Sequence, residues 1–109
     1  EVDESLLDAV TAVSGSGPAW FFRFVEALEK AAVDLGLSPQ DAATLVRSTA
    51  AGAGQMMQGE DAPSTLRERV TTPGGTTAAG LDVFDQAMDG LAQEALRAAR
   101  DRGAELGRQ

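Results

Sequence analysis

The sequence predicts an all-α protein, and three observations carry that expectation. Apolar residues recur at helical spacing along most of the chain, no β-branched run reads as a strand, and every break between segments holds glycine, proline or a capping residue. A length of 109 residues suits one domain.

The first segment opens with acid, which suits a helix dipole, and then places Leu6, Leu7, Ala9, Val10 and Val13 at helical spacing. Ser14-Gly15-Ser16-Gly17-Pro18 reads as a glycine-rich break, with Gly17 as cap and Pro18 at the first position of the next helix. It is not a dinucleotide fingerprint, because no strand precedes it and the glycine spacing is wrong. From Pro18 to Leu35 a strong helix follows. Arg23, Glu26, Lys30 and Asp34 share one stripe, and Trp20, Phe21, Phe22, Phe24, Val25 and Leu28 stand among the rest. That apolar surface is wider than the usual stripe of about 100°. Gly36 suits the left-handed position just past the helix, and Leu37 can pack back on it.

Ser38 caps the next helix, with Pro39 at its first position and Asp41 in the capping-box place. This helix is expected to reach Gly59, and from Ser48 onward it carries no charge. Gly52 and Gly54 each cost about 1 kcal/mol relative to Ala in a helix interior, a cost that a closely packed partner helix would offset. After the polar turn Glu60-Asp61-Ala62-Pro63-Ser64, a short helix over Ser64 to Thr71 should turn Leu66 and Val70 inward. Thr76 or Thr77 then caps a helix running to about Asp89, Gly90 breaks or bends the chain, and a last helix spans Leu91 to Leu106. In that helix Arg97 and Asp101 are spaced as an i,i+4 pair.

Composition excludes whole classes of chemistry. The chain has no Cys, His or Tyr, and Lys30 is its only lysine. Disulfides, thiolate or imidazole metal sites and histidine acid–base catalysis are therefore ruled out, and no metal is expected. A net charge of −8 argues against nucleic acid, whose phosphates need a basic footprint. No signal peptide or long apolar run is present, so the chain is expected to be cytoplasmic, with no membrane partner.

The stretch Val70-Thr71-Thr72-Pro73-Gly74-Gly75-Thr76-Thr77 concentrates hydroxyls, two glycines and a proline between two helices. Pro73 stops the preceding helix, and the glycines leave the peptide N–H groups uncovered. Bare amides, a helix dipole and hydroxyls aimed at one point suit a carboxylate or a phosphate. The same residues also make an ordinary helix–turn–helix corner, and spacing alone leaves that alternative open. The two broadly apolar helices, 18–35 and 39–59, are expected to form the shared core of a homodimer, the alternative being a compact monomer with the second at its centre.

Val13-Ser14-Gly15-Ser16-Gly17-Pro18-Ala19, followed by an aromatic helix, and Val70–Thr77 with Gly80-Leu81 together resemble pyrroline-5-carboxylate reductase. The resemblance runs from about Leu7 to Leu106 and covers only that family's C-terminal half. It implies a multi-helix dimerisation domain over 1–109 with an intertwined homodimer core, of the 6-phosphogluconate dehydrogenase C-terminal-like fold, able to build larger rings. It also implies that the N-terminal Rossmann domain is absent from this chain. By the same resemblance, the activity is reduction of a cyclic imino acid, 1-pyrroline-5-carboxylate, to L-proline by hydride from NADP or NAD in reduced form. That cofactor would be bound mainly by the missing domain, so the isolated chain is expected to be inactive.

The resemblance assigns the substrate carboxylate to the N–H groups of Gly74, Gly75, Thr76 and Thr77. The hydroxyls of Thr72 and Thr77 assist, and Thr77, near the ring nitrogen, is the catalytic candidate. Ser14, Gly15 and Ser16 would line the nicotinamide side. Trp20 stands where many members carry Tyr, and Thr72 where many carry Ser, so no phenol is available at position 20. A helical association module without catalytic role is the alternative. Nucleotide phosphate is a third candidate for the loop's ligand.

Overall fold

The computed structural model describes residues 3–108, and among them there are helices and no strand. Six α-helices run in order: α1 Glu4–Val10, α2 Gly17–Asp34, α3 Pro39–Met56, α4 Pro63–Arg69, α5 Thr76–Asp85 and α6 Met88–Gly107. A π-turn over Thr11–Gly15 continues α1. The chain divides into two compact units, one running through Phe21 and resuming at Asp82, the other Phe22–Leu81. The boundaries fall within α2 and α5.

In the first unit, α6 packs against α1 and the π-turn. The half-buried residues of α6, Leu96, Ala99, Gly103 and Ala104, lie on one helical stripe. Gly103 permits the close approach: a Cβ there would lie 3.3 Å from Asp8 Oδ1. Ala12, 3% exposed, is this unit's buried apolar side chain.

The second unit is assembled by local chemistry at helix ends. Past α2, Gly36 adopts φ 110°. Its N–H donates to the Val33 carbonyl at 2.9 Å, and Leu37 N–H reaches back to Ala32 at 3.2 Å, which is the Schellman pattern. One residue later Ser38 Oγ accepts from the Asp41 amide at 3.1 Å and starts α3. Arg47 of α3 grips Glu29 of α2 with two bonds, Nε to Oε2 at 3.0 Å and Nη2 to Oε1 at 3.2 Å. The carboxylate's hydrogen bond and charge raise the already high pKa of that guanidinium. Arg47 is well exposed, so the pair fixes geometry more than it adds stability. In this unit only Ala42 is a buried apolar residue, at 1%.

Several sequence expectations shift. Ser14 and Gly15 do not form an open break, because they belong to the π-turn and the chain leaves helical pairing only at Ser16. The α3 helix ends at Met56, short of Gly59, and α4 starts at Pro63 with Ala62 as cap. Leu66 is half-buried as expected, whereas Val70 is exposed within this chain. Gly90 sits inside α6, and the break falls at Gln86-Ala87, where Ala87 takes φ −137°. A glycine in a first turn merely lowers helix propensity and does not end a helix. Asp101 pairs with the adjacent Arg100, at 3.0 Å, in place of Arg97.

Most large apolar side chains of α2 and α3 stay uncovered within the chain: Phe21 and Phe22 are 68% and 69% exposed, and Leu45 and Met56 are also open. Both helix-end devices between α2 and α3 should be measurable. Gly36→Ala, forced into a left-handed backbone, and Ser38→Ala, without its capping oxygen, are each expected to cost about 1 kcal/mol. Thermal unfolding at fixed chain concentration measures this, and an unchanged midpoint in both variants would contradict the assignment.

Candidate functional site

The link between α4 and α5 is built from the sequence upward. Thr71 closes α4: its Oγ1 donates to the Arg67 carbonyl at 2.6 Å and its amide donates to Glu68 at 3.2 Å. Pro73 cannot donate and sets φ for the first central position of a β-turn. Gly74 follows at φ 75°, and the Gly75 amide donates to the Thr72 carbonyl at 2.9 Å. Proline, then a left-handed glycine, then a closing bond is the signature of a type II turn. A Cβ at Gly75 would lie 3.1 Å from the Thr72 carbonyl oxygen, a tight contact that would push the turn by a few tenths of an ångström.

The turn sets the register of α5. Gly75's own carbonyl accepts the first helical bond, from Ala79 at 3.2 Å, so Gly75 is the cap and Thr76, Thr77 and Ala78 are the first three helical residues. The expectation of Thr76 or Thr77 as cap is corrected accordingly. Of the four amides expected to be free, Gly75's is taken by the turn. Those of Gly74, Thr76 and Thr77 have no protein acceptor among the described residues. Ala78 adds a further bare amide that residue-by-residue reading missed; it follows once the helix start is placed at Thr76. The hydroxyls of Thr72 and Thr77, both exposed, have no protein partner among the described residues either. Three consecutive N–H groups at a helix start, with its dipole behind them, can take an anion.

The other glycine-rich stretch lies in the first unit. Ser14 Oγ donates to the Val10 carbonyl at 2.9 Å, and the Ser16 amide donates to Thr11 at 2.9 Å. Gly15 faces Thr11, whose Cγ2 would lie 3.2 Å from a Cβ. The half-buried Ser16 keeps a hydroxyl with no protein partner among the described residues. Nearby, the Trp20 indole Nε1–H donates to the Ala12 carbonyl at 3.0 Å, a contact that sequence pattern did not signal. Among the described residues no group of three or more acidic side chains could hold a metal, and no helix is long and apolar enough to cross a membrane.

Helices that leave their aromatic and aliphatic faces uncovered within one chain define the class, a helical association domain. The chain belongs to the pyrroline-5-carboxylate reductase dimerisation family, which it matches over residues 4–106. It is 49% identical to the pyrroline-5-carboxylate reductase of Pseudomonas aeruginosa over 109 residues, covering 98% of this chain and 40% of that protein. Against pyrroline-5-carboxylate reductase 2 of Bacillus subtilis it is 52% identical over 81 residues, 73% of this chain and 29% of the relative. Among solved structures, it is similar to the pyrroline carboxylate reductase of Plasmodium falciparum crystallised with NADP bound. That match has a TM-score of 0.88 and 34% identity, over 98% of this chain and 42% of that one. A pyrroline-5-carboxylate reductase from Coxiella burnetii gives a TM-score of 0.91 and 39% identity, covering 97% and 40%. The chain thus spans about two-fifths of the length of several of its relatives.

The turn geometry has direct consequences. Gly74→Ala should cost about 1 kcal/mol, because an L-residue resists the left-handed region. Gly75→Ala should strain the Thr72–Gly75 bond, seen as faster hydrogen exchange of the amide at position 75. Equal exchange in the variant and the parent would refute the turn.

Proposed function

We propose that this chain is the substrate-binding and dimerising part of a pyrroline-5-carboxylate reductase, which reduces 1-pyrroline-5-carboxylate to L-proline with NADPH or NADH. The observation that carries the reading is the set of bare amides at Thr76, Thr77 and Ala78, at one end of α5 beside the hydroxyls of Thr72 and Thr77. The substrate carboxylate accepts from those amides and from Gly74. Gly75 contributes by closing the turn that exposes them. Charge-assisted hydrogen bonds stabilise by roughly 1.5–3 kcal/mol each, enough for two or three to hold an anion on an acidic domain. The domain's net charge of −8 acts weakly there, since fields beyond about 8 Å are screened.

Thr77 is the residue placed at the reacting end, its Oγ1 bonding the ring nitrogen and orienting the C=N bond. Ser14, Gly15 and Ser16 line the nicotinamide side. Among the described residues there is no strand–turn–helix unit for a pyrophosphate, so this chain fits only the nicotinamide end of a dinucleotide, through Ser16's open hydroxyl and the small Gly15. When bound, the reduced cofactor supplies the hydride, and the absence of His and Cys from this chain is compatible with that division of labour. The rest of the cofactor belongs to a Rossmann domain outside this chain. The exposed faces of α2 and α3 meet a second copy, forming a homodimer that can build larger rings.

In the intact reductase, Thr77→Val should raise the KM for the imino acid and lower kcat/KM by about tenfold or more, the scale of one lost charge-assisted bond. Unchanged kinetics would remove Thr77 from the site. Titrating with proline should shift the amide resonances of Gly74 through Ala78. Silence there at high concentration would favour a plain association module, and tighter binding of phosphate would favour a nucleotide ligand. Light scattering should report twice the chain mass, and a folded monomer would overturn the dimer.

A further inference from the structure

The π-turn over Thr11–Gly15 is where the helical ladder widens, and it includes Ser14 and Gly15 and ends at Ser16. In an α-helix the Ser16 amide would donate to Ala12. Here it donates one residue further back, to Thr11, at 2.9 Å. The Ala12 carbonyl is thereby released on a residue only 3% exposed, where an unpaired acceptor is unfavourable. The Trp20 indole satisfies it, with Nε1–H donating at 3.0 Å. The α and π registers differ by one residue, about 100° of helix phase and 1.5 Å of rise. Relaxing to the α register would therefore rotate Ser14, Gly15 and Ser16 relative to the start of α2.

We propose that Trp20 is a positioning residue. Its indole N–H, seated on the Ala12 carbonyl, holds the π register and so sets the face that Ser14, Gly15 and Ser16 present to the nicotinamide ring. This rests on the reading above that those three residues line the nicotinamide side. Trp20 acts through the turn and not on the reacting atoms.

Trp20 is the only tryptophan in the chain, so its N–H can be edited alone. In the intact reductase, replacing Trp20 by benzothienylalanine, which puts sulfur where the N–H was, should raise the KM for the nicotinamide cofactor about three- to tenfold. The kcat and the KM for the imino acid should stay within about twofold, a split that general loosening of the fold would not produce. Trp20→Phe should show the same split, and 7-azatryptophan, which keeps the N–H, should restore the parent value. An unchanged cofactor KM in both N–H-deleted proteins overturns the proposal. Where neither variant folds, the parent decides: its indole proton should exchange slowly with solvent, and exchange as fast as that of free tryptophan overturns the proposal. Ser14→Ala with Ser16→Ala separates the two levels. If that double variant raises the cofactor KM and the Trp20 variants do not, positioning alone fails. If it too leaves the cofactor KM unchanged, the nicotinamide-side assignment fails, and this inference with it.

Discussion

The structure depends on apolar helical surface that its own chain does not cover. Among the described residues each unit buries one apolar side chain, of methyl size, Ala12 in one and Ala42 in the other, while Phe21, Phe22, Leu45 and Met56 stand open. Stability of several kcal/mol rests on apolar burial, and most large side chains of α2 and α3 supply little of it within the chain. The apolar surface left open on α2 and α3 fits a member of a dimerisation family, in which a partner can cover it. Gly52 and Gly54 fit this constraint: a Cβ at either meets nothing within 4 Å inside the chain, so their smallness serves an outside neighbour or none.

Against that demand, the loop between α4 and α5 is locally self-sufficient. Pro73, the left-handed Gly74 and the Thr72–Gly75 bond form a closed unit that needs no tertiary support. Its effect is on register. By consuming one amide and ending at a capping carbonyl, the turn decides that the bare N–H groups belong to Thr76, Thr77 and Ala78. Such a preorganised donor set suits chemistry in which the protein orients a charged substrate and a cofactor carries the reaction.

The two glycine-rich stretches use glycine differently. In one, Gly74 supplies a backbone angle; in the other, Gly15 supplies room beside Thr11 within a π-turn. Widened helical turns are uncommon and concentrate at functional sites. Here the widening frees a carbonyl that the only indole of the chain then occupies.

Sequence alone determined the features that neighbouring residues decide among themselves. The Gly36 terminus, the Ser38 cap and the Pro73-Gly74 turn were legible because each rests on φ restrictions and hydrogen bonds within a few residues. The all-helical class was legible for the same reason. Tertiary structure decided the rest: the π register at Thr11–Gly15, the Trp20–Ala12 bond and the unbroken run of α6 through Gly90. The π-turn packs against α6 across more than eighty residues of chain, and no local preference encodes that contact.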